Sequence, residues 1–273
     1  GRWLPEAHQI VDAERSLRRT LGEEEAWSDL TAVTNRLRDG VAAVSTELAS
    51  LPKDIVEEVS RLVVTATLVA DTLGQTHTAL AGGDYEIVHQ ELTTRGGPDL
   101  GWNVLLRRLR RERRPVVLRA TNVVADIFAA NRLLDDFRKA LEDRLIAVVA
   151  DAGYGKTHLS AQLTAPVENR PAGILIHGRD LAARGTLDDL ARRFVINGRP
   201  VESFAALVAA VDAAGQRAGR RLPIVLDGLN EAEDPRDWKQ QLASLNEMLA
   251  RYPYVVVVCT LRSDFVKEAL PDG

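Results

Sequence analysis

The chain has 273 residues, 45% of them hydrophobic, and a formal net charge of −4. That length and apolar content suffice for a buried core and exclude a disordered chain, and the single cysteine, Cys259, excludes an internal disulfide framework. Only five of the 35 basic residues are lysine, so a lysine inside a glycine-rich loop stands out against an arginine background.

The longest apolar runs are a few residues, far short of the ~20 a membrane span needs, and no signal-peptide pattern opens the chain. A soluble, cytoplasmic protein without a membrane partner is expected. The chain opens on Gly1 and its only methionine is Met248, which reads as an excerpt of a longer protein.

From about Ala7 to Asp143, apolar residues recur at spacings of three and four, as in IVEEVSRLVVTATLVADTL and VVADIFAANRLLDDFRKALEDRL. Glycine and proline punctuate this half at Gly82-Gly83, Gly97-Pro98 and Pro115, so four to six helices packed as a bundle are predicted, with residues 1–143 as a helical region. Within it LLRRLRRERRP, 105–115, gathers Arg107, Arg108, Arg110, Arg111, Arg113 and Arg114 on one predicted helix. Such a cluster can grip nucleic acid phosphates, but with a net negative chain and no interleaved aromatic residues a solvated helix face or an interdomain contact is the favoured reading.

After Arg144 the pattern changes. Short aliphatic runs, LIAVVA (145–150), GILIHG (173–178), PIVLDG (223–228) and YVVVVCT (254–260), alternate with helical segments such as SFAALVAAVDAAGQR. Runs with so little polar alternation suit strands buried on both faces of a parallel sheet. Residues 144–273 are therefore read as a doubly wound α/β domain, incomplete at its C-terminal end. Cys259, inside the last run, is expected to be a buried thiol, and the five histidines, His8, His77, His89, His158 and His177, show no metal-ligand spacing. Trp238 is expected to pack the helix that follows the third run, with a neighbouring subunit as the alternative.

The first run leads into Ala152, Gly153, Tyr154, Gly155, Lys156, Thr157 and His158. A polyphosphate needs backbone N–H groups aimed at its oxygens, a cation, and a hydroxyl to help hold magnesium; a glycine turn between strand and helix supplies the first. Lys156 would reach the β- and γ-phosphates and Thr157 would ligate Mg²⁺. Ala150 stands where such loops usually open with glycine, a tolerated variation if the phosphate contacts outweigh local strain. About seventy residues on, PIVLDGLNEAED ends a strand in Asp227, placed to meet the same Mg²⁺, with Glu231 four residues later to orient or deprotonate a water. The run YVVVVCTLRSDF ends in Thr260 and Arg262; a group there can report the γ-phosphate, and Arg262, with its forked guanidinium, is preferred over Thr260.

With these three elements the chain resembles a STAND-class P-loop NTPase near the NACHT group, most closely the bacterial antiviral STAND proteins called Avs. The family's acidic element ends in an acidic pair, whereas here Asn230 precedes Glu231, so the base role falls on Glu231 alone. Arg262 matches the arginine of the family's sensor strand. The opening GRWLPEAH, through Arg2, Trp3, Pro5 and Glu6, resembles a segment that precedes the ATPase in such proteins. The resemblance implies ATP or ADP and Mg²⁺ as ligands and nucleotide-controlled self-association into an oligomer. It also implies an effector and a sensor outside this chain, the trigger being a phage protein. Two other readings stand beside it: a nucleotide-binding module without turnover, for which Asn230 speaks, and an AAA+-like ATPase acting on DNA, for which the arginine cluster speaks.

Overall fold

A computed structural model describes residues 2–4, 10–21, 28–51, 53–94, 115–166, 171–196 and 198–271. The arginine-rich run up to residue 114, the Gly97-Pro98 boundary, Pro5 and Glu6 lie outside them. The chain forms two compact units. One spans Glu24–Lys139; the other joins Gly1–Glu23 to Ala140–Gly273. The opening segment, grouped by sequence with the helical half, thus belongs with the sheet.

The helical unit is built from α2 (Ser28–Ser45), α3 (Lys53–Gly82), α4 (Tyr85–Thr94) and most of α5 (Pro115–Glu142); α1 (Ile10–Leu21) belongs to the other unit. The spacing that predicted these helices is the spacing that buries them. Leu30, Val33, Leu37 and Val44 of α2 are buried, as are Leu62, Ala66, Val69 and Leu73 of α3 and Val123, Ile127, Ala130, Leu134 and Phe137 of α5. The Gly82-Gly83 signal is the end of α3: Gly83 takes φ 79, and the N–H of Asp84 returns to the carbonyl of Ala79. At Gly40 a β-carbon would lie 2.7 Å from Val123 Cγ2, so the glycine lets α2 and α5 approach closely.

The second unit holds a five-stranded parallel sheet in the order β1-β2-β7-β6-β3, with β1 at Arg2–Leu4, β2 at Leu145–Val149, β3 at Ile174–His177, β6 at Leu222–Asp227 and β7 at Val255–Leu261. The four aliphatic runs are these last four strands. Two elements had no counterpart in the sequence reading: β1, which pairs with β2 from Arg2 opposite Ile146 to Leu4 opposite Val148, and a small antiparallel hairpin of β4 (Val195–Ile196) and β5 (Arg199–Pro200).

Helices cover both faces of the sheet. Successive strand residues alternate between them: Ala147, Ile224, Leu226, Val257 and Cys259 face a cluster with α7 (Leu187–Ala191), α8 (Phe204–Ala218), α9 (Asp237–Leu249) and α10 (Val266–Ala269). Ile146, Val148, Val225, Val256 and Val258 face Leu17 and Leu21 of α1 and Leu159 and Leu163 of α6 (Lys156–Thr164). Trp238 is fully buried in the first cluster, which answers the question of a subunit contact in favour of the chain's own core. α8 is capped at both ends: Ser203 accepts from the N–H of Ala206 at its start, and Gly219 closes it at φ 62.

Arg221 is 1% exposed and joins three segments of this unit. Its guanidinium donates to the carbonyls of Thr20 near the end of α1 (3.2 Å), Leu141 near the end of α5 (3.0 Å) and Pro253 ahead of β7 (2.9 Å). A cation at two helix C-termini satisfies carbonyls that have no partner within their own helices and complements both dipoles.

Candidate functional site

Because every strand of this sheet runs the same way, the C-terminal ends of β2, β6 and β7 lie side by side. The crossover helix after β2, α6, packs on one face, and α8 and α9, which lead into β6 and β7, pack on the other; between them a crevice opens at the strand ends. Its volume is about 340 Å³, within the range of small-molecule sites. It is lined by the loop and first turn of α6 (Ala152, Gly153, Gly155, Lys156, Thr157, His158), by Asp227, Gly228, Asn230 and Glu231 after β6, and by Thr260 and Arg262 at the end of β7. The three sequence elements therefore meet in one place. Tyr154 alone of the expected loop residues does not line the crevice; it is 52% exposed.

The loop's geometry explains its glycines. Gly153 and Gly155 take φ 85 and 86, a region that costs an L-residue about 1–2 kcal/mol, and no atom lies within 4 Å of the position a β-carbon would take at either. Ala150 is different. Arg184 (φ 60) is the one non-glycine residue with positive φ among the described residues, so Ala150 needs no left-handed backbone. It is buried and continues the ladder beyond β2, its N–H donating to the carbonyl of Leu261 at 3.1 Å. The strain weighed for this alanine does not arise.

Lys156 folds its ammonium back onto the loop, donating to the carbonyls of Ala150 and Asp151, the latter at 2.7 Å. Burial lowers its pKa below the ordinary lysine value, and the nearby Arg262 guanidinium pushes the same way against Asp151, Asp227 and Glu231. Two cations held this close repel each other, and an anion between them relieves that repulsion. The backbone N–H of Arg262 is received by Asn230 Oδ1 at 3.1 Å, so the residue that departs from the acidic pattern ties the β6 turn to the end of β7. Asp151 receives a hydrogen bond from Ser263 Oγ across the same mouth.

Asp227 is 5% exposed, and its carboxylate is held on one side. Oδ1 accepts from Ser160 Oγ of α6 (2.7 Å) and from Thr260 Oγ1 of β7 (2.7 Å), while Thr260 Oγ1 itself accepts from the N–H of Gly228 at 2.9 Å. Thr260, weighed as a phosphate reporter, is thus buried and engaged with Asp227. His177 Nδ1 lies 4.0 Å from Oδ2. Gly228 turns the chain at φ 72 so that the N–H of Glu231 closes on its carbonyl at 2.8 Å, and a β-carbon there would meet the Glu231 carboxyl at 3.1 Å. Glu231 is exposed on the crevice.

Ser160 was not among the residues singled out from sequence. The signal that could have found it is its place four residues after Lys156, on the same helical face. Among the described residues no group of three histidine, cysteine or acidic side chains could hold a metal without other ligands. Mg²⁺ would need fewer: it binds through one or two protein oxygens together with phosphates and water. The structure fits that demand, since Asp227 Oδ2 accepts no hydrogen bond among the described residues and Thr157 lines the same crevice. No helix of the described residues is long and apolar enough to cross a membrane. Compared with known protein families, curated proteins and solved structures, the chain matches none.

Proposed function

We propose that this chain is the nucleotide-binding core of a STAND-like P-loop NTPase, a cytoplasmic ATP-dependent switch. The observation that carries the reading is the convergence of Lys156, Thr157, Asp227, Glu231 and Arg262, from three separate stretches of sequence, on one crevice beside a loop with two left-handed glycines. Chance matches to three short motifs have no reason to assemble at the neighbouring ends of three strands. The shortage of cation partners supports an anionic ligand: Arg262 makes no side-chain ion pair among the described residues, and Lys156 is satisfied by carbonyls that a phosphate oxygen can replace.

Each residue then has a task. The loop N–H groups and the N-terminus of α6 receive the phosphates, and Lys156 neutralises their charge. Thr157 and Asp227 would hold Mg²⁺, which supplies charge neutralisation for the transferring phosphoryl group. Glu231, exposed on the crevice, orients a water and takes its proton as the bond to the γ-phosphorus forms and ADP leaves with the bridging oxygen. Arg262 meets the γ-phosphate, and Asn230 fixes the backbone from which it projects. With Asn230 in this structural task, the base role falls on Glu231 alone. The nucleotide state would govern self-association, with the effector and the sensor of a phage protein outside this chain.

Glu231→Gln tests turnover. It is expected to keep ATP affinity within about threefold of the parent and to lower steady-state phosphate release at least about 100-fold, the contribution of a positioned base. Unchanged phosphate release would remove Glu231 from the reaction. The same assay decides the alternative of a nucleotide held without turnover, which requires that the parent release no phosphate.

A further inference from the structure

From the hydrogen bonds at Asp227 we infer that Ser160 and Thr260 are positioning residues that divide the labour of its two carboxylate oxygens. They anchor Oδ1 and reserve Oδ2 for a divalent cation. The inference rests on the nucleotide-site reading above and adds to it two residues that touch neither phosphate nor metal.

A carboxylate on a strand end can rotate about its last torsion and present either oxygen or both. Here one rotation is fixed. Ser160 is fully buried and Thr260 is 1% exposed, and each hydroxyl oxygen lies 2.7 Å from Oδ1, one reaching it from α6 and one from β7. Thr260 Oγ1 accepts the N–H of Gly228, which leaves its own proton for Oδ1. The single Ser160 proton has the carbonyl of Lys156 at 3.0 Å as a second acceptor, and the charged Oδ1, at 2.7 Å, is the stronger of the two. Two donors on one oxygen spend its lone pairs, so a hard cation seeking an oxygen ligand finds Oδ2.

The arrangement links three parts of the site through a single atom. Ser160 follows Lys156 and Thr157 on α6; Thr260 precedes Arg262 on β7; Gly228 begins the turn that carries Asn230 and Glu231. A cation drawn to Oδ2 therefore binds to a carboxylate whose orientation is set by the helix that brings lysine and by the strand that brings arginine. Groups that orient a metal ligand in this way typically change metal affinity about 10–100-fold when removed.

The test is the Mg²⁺ dependence of ATP binding, measured by calorimetry on the full chain with Ser160→Ala, Thr260→Val, the double variant and Thr260→Ser. In EDTA the variants are expected to bind ATP within about twofold of the parent, because no phosphate contact is lost. The Mg²⁺ concentration for half-maximal enhancement should rise at least about 10-fold in the double variant. Thr260→Ser, which keeps the hydroxyl, should return to within about twofold of the parent, a rescue that loss of packing alone would not give. An unchanged Mg²⁺ requirement in the double variant overturns the inference. If apo melting shows that the double variant does not fold, Ser160→Ala decides alone: a rise of about threefold or more supports the anchor and no rise overturns it. A parent whose ATP binding is indifferent to Mg²⁺, or a Lys156→Ala variant that binds as the parent does, would instead overturn the nucleotide-site reading itself.

Discussion

The loop glycines and Ala150 differ in the sign of φ, and that difference predicts opposite responses to substitution. Gly155→Ala places a β-carbon at φ 86, about 1–2 kcal/mol of strain that the loop would relieve by turning its N–H groups away from phosphate. ATP affinity by calorimetry should fall about 10-fold. Ala150→Gly, restoring the residue usual at that position, should bring no gain in affinity and should lower stability by about 0.4–1 kcal/mol through the unfolded chain. Lys156 adds a pH dependence. Its pKa is lowered by burial and by Arg262, so in the free protein it sheds its proton below the ordinary value of 10.5, and phosphate favours the charged form. ATP binding should thus take up protons on the alkaline side and weaken as pH rises through that window, before an ordinary lysine would titrate. Calorimetry in buffers of different ionisation enthalpy reads that uptake; affinity flat up to pH 10.5 would contradict it. The residues the sequence made legible here are those whose spacing is itself the chemistry: Gly153, Gly155, Lys156 and Thr157 must be neighbours to cradle one phosphate chain. Ser160 and Thr260 were not legible in that way. Their partner lies 67 and 33 residues away in sequence, and only the packing of α6 and β7 against β6 brings them together.

At the scale of elements, β2, β6 and β7 were readable because each is buried on both faces and carries no polar alternation, whereas β3, at the edge of the sheet and mostly half-buried, was readable from its aliphatic run alone. β1 was not. Three residues are too short to show a period, and their pairing partner is β2, across the whole helical unit in sequence. The same gap hid Arg221, whose bond to the carbonyl of Thr20 spans 201 residues. Arg221 ends the loop before β6 and gathers the ends of α1 and α5, so it secures the opening segment and the last turn of α5 to the sheet. Arg221→Met would keep much of the side chain's bulk and remove the donors, leaving two buried carbonyls and one half-buried carbonyl without them. Urea denaturation should show a loss of about 3–5 kcal/mol. A loss below about 1 kcal/mol would mean that the three carbonyls find other partners.

For the molecule as a whole, the division into units was only partly legible. Composition changes at about residue 144, and the sheet does begin there, yet β1 and α1 belong to the sheet unit because their partners are on its strands and faces. A local change of pattern marks where one architecture starts, not which earlier segments it recruits. What the fold then achieves is to bring the ends of β2, β6 and β7 together, so that residues 156, 227 and 262 share one crevice. The central claim is that this crevice binds nucleotide through its phosphates. Equilibrium binding of ATP with Mg²⁺ to the full chain and to Lys156→Ala, compared by calorimetry, tests it most directly. The account predicts saturable binding by the parent and a loss of at least about 100-fold in the variant, as expected when a charged hydrogen-bonding partner is withdrawn from a buried phosphate. Binding by Lys156→Ala as tight as that of the parent would contradict it.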